Sequence, residues 1–218
     1  KKPLLFDACR FAENTWFIKT REDAYKNHSI PKLVQKIFGL CDGFTISFKK
    51  DGLSNMGGAL LLRKHSPLTA AHPTLLNALR DHQILVEGHP TYGGITGRDI
   101  MVITQGLKTV VTEEYLKSRI ELVHGFGEYL KKNNVPVVTP FGGHAVYLDL
   151  REFFKGTGHK PQDFGGIALT ALLLLKGVRL VELGDFAFGH YDAKTKKEIP
   201  AEYNFVRAAI PRNKYELQ

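Results

Sequence analysis

The sequence has few of the features that mark a secreted or membrane-bound protein. It contains only two cysteines, Cys9 and Cys41, in 218 residues, which is too few for a disulfide-stabilised scaffold. No apolar run reaches the roughly 18–20 residues that a membrane-spanning helix needs. The longest run, from Ile167 to Leu175, is interrupted by Thr170 and predicts a buried helix. The N-terminus lacks a signal-peptide pattern, so we expect a cytoplasmic protein without a membrane partner.

The net charge of +8 is spread along the chain. A basic surface would suit nucleic acid, but that function requires a clustered stripe of Lys and Arg. Here the basic residues are mixed with acidic ones, as in residues 194–198, and no basic stripe is interleaved with aromatic residues. We interpret the charge as solvated and expect no nucleic-acid partner. A basic binding module remains the non-enzymatic alternative.

The sequence also lacks an initiator Met, and both of its ends indicate a fragment. The chain enters a predicted strand at Leu4 and stops at Gln218 without a closing helix. We therefore expect the natural protein to be longer.

Predicted strands and helices alternate along the chain, which is typical of an α/β fold. Apolar and β-branched runs predict a buried strand over 4–6 and further strands over 44–48, 59–62, 135–138, 145–150, 178–183 and 205–210. Helices are predicted over 29–39, with Ser29 as N-cap, over 73–80, over 164–176 and from Thr112 onward. The apolar residues of this last, long helix share one face: Leu116, Ile120, Val123, Phe126 and Leu130. We place the domain boundary there, between residues 1–111 and 112–218.

Polar side chains follow the first two predicted strands. The first ends in Asp7, with Arg10 three residues on, and the second ends in Ser47 followed by Lys49 and Lys50. Ligands of open α/β sheets bind beyond the carboxyl ends of the strands. These residue types match a pyridoxal-phosphate site, which needs a lysine amine for the aldehyde and an anion for the pyridinium nitrogen. They would equally suit a turn-forming aspartate and two solvated lysines.

Several dispersed motifs together resemble the tryptophanase and tyrosine phenol-lyase family. They occur in the family's order at residues 6–14, 17–19, 47–51, 55–58, 87–94, 142–146 and 207–212. The resemblance covers essentially the whole chain. It implies a fold-type-I pyridoxal-phosphate-dependent transferase-like fold. Residues 1–111 would then be the C-terminal part of the large cofactor-binding domain, and 112–218 most of the small C-terminal domain.

The resemblance also implies a role for each residue of the cofactor site. It makes Lys50 the lysine that forms the imine and Asp7 the partner of the pyridine nitrogen. Arg10 would contact the ring oxygen, Ser47 the phosphate, and Lys49 would tune the site.

The same resemblance implies the substrate and cation sites. Tyr92 and His144 match active-site residues, and Arg207 matches the arginine that binds the substrate α-carboxylate. Independently, an arginine between apolar neighbours in a short strand needs an anionic partner. The backbone near Asn55 matches part of a monovalent-cation site that potassium normally fills.

Three positions depart from the family's pattern. Phe48 replaces a small residue, so its ring is expected to crowd the loop that carries the lysine, and His89 replaces a substrate-pocket Met or Phe. Leu183 stands where tyrosine phenol-lyases carry an arginine for the phenol and tryptophanases an aliphatic residue. Residues 97–99 and the surroundings of His144 resemble the phenol-lyases more closely.

The implied activity is carbon–carbon β-elimination on an aromatic amino acid. Leu183 favours tryptophan, which would give indole, pyruvate and ammonia. Tyrosine cleavage to phenol and another fold-type-I reaction, an aldolase or aminotransferase, are the enzymatic alternatives, and a member that binds cofactor without turnover is a further one. The resemblance also implies a homotetramer with shared active sites. Without its upstream segments the chain is expected to be inactive.

Overall fold

A computed structural model describes residues 2–89, 91, 94–160 and 163–212 of the chain. The chain divides into two compact units, Lys1–Lys117 and Ser118–Gln218. That these units correspond to parts of a large cofactor-binding domain and a small C-terminal domain stays a prediction.

The first unit contains a three-stranded sheet. Its strands are β1 (Leu5–Asp7), β2 (Gly43–Ser47) and β3 (Gly58–Leu62), in that order across the sheet. Strands β1 and β2 are parallel, whereas β3 is antiparallel to β2. The helices are α1 (Phe11–Arg21), α2 (Ile30–Leu40), α3 (Pro67–Ala71), α4 (Leu75–Val86) and α5 (Gly97–Val110), with a 3-10 turn at Asp23–Tyr25. The long helix α6 (Glu113–Lys132) begins in this unit.

Helices α1 and α2 form the crossover that a parallel strand pair requires. They pack together, and Phe38 of α2 contacts the rings of Phe6, Phe11 and Phe44. The buried core residues of this unit are Ala8, Phe11, Ala12, Ile30, Ile46, Val110 and Leu116. This core fixes α1 directly behind the end of β1, where Asp7 lies.

The sequence analysis missed one helix of the first unit, and two of its predictions there need correction. Residues 11–21 form a helix that the apolar pattern did not reveal, because two of its buried positions carry Glu13 and Thr15. The strand predicted as buried is covered on one face only: Phe6 packs against the core of this unit, whereas Leu5 is 60% accessible. The helix predicted over 73–80 runs from Leu75 to Val86. Helix α2 is confirmed, although Ser29 at its N-cap makes no side-chain hydrogen bond to it.

The second unit contains a three-stranded antiparallel sheet and a small hairpin. The sheet order is β4 (Ala145–Asp149), β8 (Phe205–Ala209), β5 (Val181–Leu183), and the hairpin pairs β6 (His190–Asp192) with β7 (Lys197–Ile199). The helices are the remainder of α6, α7 (Leu150–Phe153), α8 (Gly165–Leu175) and α9 (Asp185–Phe188).

The predicted apolar face of α6 is confirmed. Val123, with Phe126 and Leu130, packs against the sheet residues Val146 and Val206 and their neighbours. Leu116 and Ile120 are buried as well. This helix therefore contributes to the hydrophobic core along its length.

Two predictions for the second unit are wrong. Residues 135–138 form only an isolated bridge between Val137 and Leu148, because Pro136 has no N–H to extend the pairing. Helix α8 is not buried along its length: Leu169 packs against the core, but Leu175 is 83% exposed. Apolar residues lie on all sides of α8. Because only one side packs against the core, the apolar residues on the other sides are exposed. None of the described helices is long and apolar enough to cross a membrane.

Candidate active site

The candidate site lies where β1 and β2 end. In the parallel register Asp7 is paired with Thr45, two residues before Ser47, and the Ala8 N–H donates to the Thr45 carbonyl at 2.8 Å. Because parallel strands end at the same edge of a sheet, the residues that follow both strands lie close together. Asp7 and Arg10 come from one strand end, and Lys50 from the other.

Asp7 is held in its ionised form. The thiol and the backbone N–H of Cys9 donate hydrogen bonds to the Asp7 carboxylate and lower the pKa of Asp7. The backbone nitrogen of Cys9 lies 3.0 Å from Oδ1 of Asp7. The positive charges of Lys50 and Arg10 lower this pKa further, against an opposing effect of burial. The structure thus brings Asp7, Arg10 and Lys50 within electrostatic reach of one another.

Lys50 lies in a tight segment, residues 47–54, which we call the lysine loop. The Lys50 N–H donates to the Ser47 carbonyl at 3.2 Å, and the Leu53 N–H donates to the Lys50 carbonyl at 3.0 Å. Ser54 closes the loop by donating its N–H to the Phe48 carbonyl at 3.0 Å. Lys50 is half-buried, whereas Lys49 is exposed. The loop therefore directs its two lysines into different environments.

The lysine loop is attached to the segment that follows β1. The Asp51 carboxylate accepts the Ala12 N–H at 2.8 Å, and the Asp51 N–H donates to the Cys9 carbonyl at 3.3 Å. The Ser47 N–H donates to the Cys9 sulfur at 3.2 Å. These bonds join two stretches that are far apart along the chain. No local pattern in the sequence indicates them, and both Asp51 and Cys9 were missed as site residues.

On its other side the lysine loop touches α5. A Cβ added at Gly106 would lie 2.0 Å from the Gly52 carbonyl oxygen, so only glycine permits this approach. Leu53 adopts a positive φ of 51°, which a non-glycine residue rarely does. The ring of Phe48, which was expected to crowd the lysine loop, packs against the hydrophobic core of the first unit.

Two buried polar atoms at this site have no hydrogen-bond partner within the described residues. They are the hydroxyl oxygen of Ser47 and Nε of Arg10. Leaving a buried donor unpaired costs about 1–3 kcal/mol, so such atoms indicate a ligand. A hydroxyl and a guanidinium are the groups that the phosphate and the ring oxygen of pyridoxal phosphate require. The residues present therefore fit that cofactor.

The predicted substrate-binding residues of the second unit lie on its sheet. Arg207 of β8 is paired directly with Tyr147 of β4, and its buried Nε finds no partner in the part of the chain that the structure describes. The Tyr147 hydroxyl lies 3.2 Å from Nε2 of His144. Leu183 ends β5 and is paired with Phe205. Tyr147 was missed from sequence, although its place between buried Val146 and Leu148 puts it on the opposite face.

The remaining predicted residues lie in or near the first unit's loops. His89 is exposed, with Nδ1 2.7 Å from the Thr91 hydroxyl, and it lines a cleft of about 1020 Å³ between β3 and α4. Asn55 is exposed just before β3. Tyr92 lies outside the described residues. The cation site near Asn55 stays a prediction.

The site therefore combines an aspartate and a lysine at adjacent parallel strand ends with two buried donors that have no partner among the described residues. The family model described as beta-eliminating lyase matches residues 1–217, and the chain belongs to that family. The resemblance inferred from the dispersed motifs is thereby confirmed, and the mixed α/β structure agrees with it.

Relatives of two activities match the chain. It is 43% identical over 215 residues to a tryptophanase from Rhodobacter capsulatus, covering 98% of this chain and 45% of the relative. It is 38% identical over 211 residues to a tyrosine phenol-lyase from Symbiobacterium sp. (strain SC-1), covering 96% of this chain and 43% of the relative. The chain thus spans less than half the length of these relatives.

Proposed function

We propose that this chain is part of a pyridoxal-phosphate-dependent lyase that cleaves a carbon–carbon bond of an aromatic amino acid. The observation that carries the proposal is the proximity of Lys50 and Arg10 to the ionised carboxylate of Asp7 at the ends of β1 and β2. Membership of the beta-eliminating lyase family supports it.

Each residue of the site has a proposed task. Bound pyridoxal phosphate would supply an aldehyde for an imine and a protonated ring that withdraws electrons from the substrate α-carbon. Asp7, being ionised, holds the proton on the ring nitrogen. Arg10 would donate to the ring oxygen and the Ser47 hydroxyl to the phosphate, which would give partners to two buried atoms that have none among the described residues. Lys49, exposed beside Lys50, adjusts the local charge.

Lys50 has two proposed tasks. Its ε-amine would hold the cofactor covalently through the aldehyde, and the same Nζ, when free, would be placed to accept the proton from the substrate α-carbon. A half-buried lysine on a hydrogen-bonded loop suits both, because its amine is accessible while its backbone is fixed.

We propose that residues of both units take part in substrate recognition and proton transfer. Arg207 would bind the α-carboxylate and so give an acceptor to its Nε, which has none in the part of the chain that the structure describes. His144, oriented by Tyr147, and Tyr92 act in the proton transfers that release the aromatic ring. His89 contributes to the substrate pocket.

Tryptophan is the proposed substrate, with indole, pyruvate and ammonia as products. Leu183 supports this choice, because the resemblance implies an aliphatic residue here in tryptophanases and an arginine for the phenol in tyrosine phenol-lyases. Tyrosine remains the second candidate, because relatives of both activities match the chain at similar identity.

We further propose that the longer protein acts as a cytoplasmic homotetramer. Its active sites would include segments upstream of this chain, consistent with the length of the relatives. A potassium ion would bind at backbone oxygens near Asn55.

The imine at Lys50 is tested with the full-length protein and added pyridoxal phosphate. We expect a visible imine absorbance band, borohydride reduction that labels Lys50, and loss of both in Lys50→Ala. Lys64→Ala, an exposed lysine of the same unit, serves as the control and should keep both. A band that persists in Lys50→Ala would refute the assignment.

Product analysis separates the candidate reactions. Pyruvate together with indole identifies tryptophan cleavage, and pyruvate with phenol identifies tyrosine cleavage. An oxo acid that retains the aromatic ring would indicate an aminotransferase and contradict the proposed β-elimination.

A further inference from the structure

Asp51, the residue after Lys50, is a buried carboxylate that the proposed chemistry does not use. It is 0% exposed, and its Oδ2 accepts the Ala12 N–H at 2.8 Å. Burying a carboxylate is costly unless hydrogen bonds or charges compensate it. A fully buried carboxylate beside the proposed imine lysine therefore needs a structural or functional reason.

The reason begins with helix α1, which cannot cap its own N-terminus. The first four N–H groups of a helix lack partners within the helix, and a side chain at the N-cap usually accepts one of them. The N-cap residue of α1 is Arg10, whose side chain makes no such bond and contains no acceptor atom. Asp51 supplies the missing acceptor from 39 residues further along the chain. Its negative charge is also favourable at the positive end of a helix.

This cap joins the two halves of the proposed cofactor site. The first turn of α1 directly follows Asp7 and Arg10, whereas Asp51 directly follows Lys50. The Asp51 N–H bond to the Cys9 carbonyl adds a second link between the same segments. On the opposite side, Gly52 contacts Gly106 of α5, so the lysine loop is held from two directions.

We infer that Asp51 is a positioning residue, which fixes Lys50 relative to Asp7 and Arg10 by fastening the lysine loop to the first turn of α1. This inference rests on the proposed function. Without the link, the amine of Lys50 would no longer be held at a fixed distance from the carboxylate of Asp7. Misplacement by about 1 Å can reduce a catalysed rate on the order of a hundredfold.

A matched control exists at the other end of the same strands. Asp42 accepts the Leu4 N–H at 2.8 Å, also between residues far apart in sequence, and it precedes β2. Removing Asp42 deletes the same kind of carboxylate-to-backbone link without touching the lysine loop. The Asp42→Ala variant therefore measures how much the loss of a purely structural link reduces the rates.

The test compares Asp51→Ala with Asp42→Ala in the full-length protein. The rate at which the apoprotein forms its imine with pyridoxal phosphate, the visible circular dichroism of the bound cofactor, kcat and KM are measured. For Asp51→Ala we expect imine formation and kcat to fall by about tenfold or more, with weaker circular dichroism and a KM within about threefold. Asp42→Ala should keep both rates within about threefold. Equal losses in the two variants would overturn the inference.

Asp51→Asn and Asp42→Asn provide a second pair if Asp51→Ala does not fold. Asparagine keeps the shape and one acceptor oxygen but removes the charge at the helix end. We expect imine formation in Asp51→Asn to be about threefold or more slower than in Asp42→Asn, and equal rates would contradict the positioning role. If the unmutated protein forms no imine at Lys50, the proposed function itself fails. Normal imine formation in both Asp51 variants defeats only the inference about Asp51.

Discussion

Tyr147 of β4 lies directly across the antiparallel sheet from Arg207 of β8. Side chains of directly opposed residues emerge on the same face, so this pair is presented together. The hydroxyl of Tyr147 also lies 3.2 Å from His144. Arg207 and His144, both assigned to the active site from sequence, are thus neighbours of Tyr147, which the sequence analysis missed.

Tyr147→Phe should weaken substrate binding without unfolding the second unit. The variant loses one hydrogen bond to His144, worth about 0.5–1.5 kcal/mol, which corresponds to roughly a twofold to tenfold rise in KM. Tyr129→Phe, at an exposed position of α6, is the control. An unchanged KM in Tyr147→Phe would show that the tyrosine does not orient His144 for the substrate.

Arg207→Lys should impair substrate binding despite keeping the positive charge. A lysine cannot form the paired hydrogen bonds that a guanidinium makes with a carboxylate. Losing about 1.5–3 kcal/mol lowers kcat/KM by roughly tenfold to a hundredfold. Steady-state kinetics measure this, with exposed Arg179→Lys as the control. If both variants behave alike, Arg207 does not bind the α-carboxylate.

Asp7 should contribute stability that depends on pH in a defined direction. Its folded-state pKa lies below its ordinary value, chiefly because Cys9 hydrogen-bonds to it. The stabilisation is therefore fully present above the unfolded-state pKa, near pH 4, and is lost as pH falls through the lower folded-state value.

Chemical denaturation of the full-length protein and Asp7→Asn at several pH values checks this. The difference in unfolding free energy should be constant from neutral pH to about pH 5 and shrink below pH 4. Asp81→Asn, at an exposed site on α4, is the control. A difference that grows on acidification would contradict the lowered pKa of Asp7.

Gly106→Ala should disrupt the lysine loop, whereas Gly125→Ala should not. A Cβ at Gly106 would meet the Gly52 backbone oxygen at 2.0 Å, so α5 or the loop must move, while a Cβ at Gly125 of α6 has nothing within 4 Å. Gly125→Ala should stabilise its helix by about 0.5–1 kcal/mol.

Thermal unfolding and imine formation measure the two glycine variants side by side. We expect Gly106→Ala to lower the unfolding temperature and slow the imine, and Gly125→Ala to do neither. Retention of both properties by Gly106→Ala would mean that the Gly52 contact is dispensable.

The sequence by itself determined the helices and strands that can be recognised from residues close together in the chain. The two strands that end near Asp7 and Ser47 followed from apolar runs terminated by polar residues, and the apolar face of α6 followed from its period. That the two strands pair in parallel came from the structure. The family followed from ordered motifs, each a short continuous stretch. Helix α1 escaped because its buried Glu13 and Thr15 interrupt the apolar pattern.

Only the tertiary structure decided which distant residues meet. Asp51 caps α1 from 39 residues away, Gly52 meets Gly106, and Tyr147 faces Arg207. It also decided that Leu5 and Leu175 are exposed. Periodicity shows which side of a helix or strand is apolar. Whether that side is buried depends on which distant segments of the chain pack against it. For the same physical reason, Lys50 and Asp7 could be identified as site residues from the sequence. The link that Asp51 makes between their two segments could be identified only from the fold.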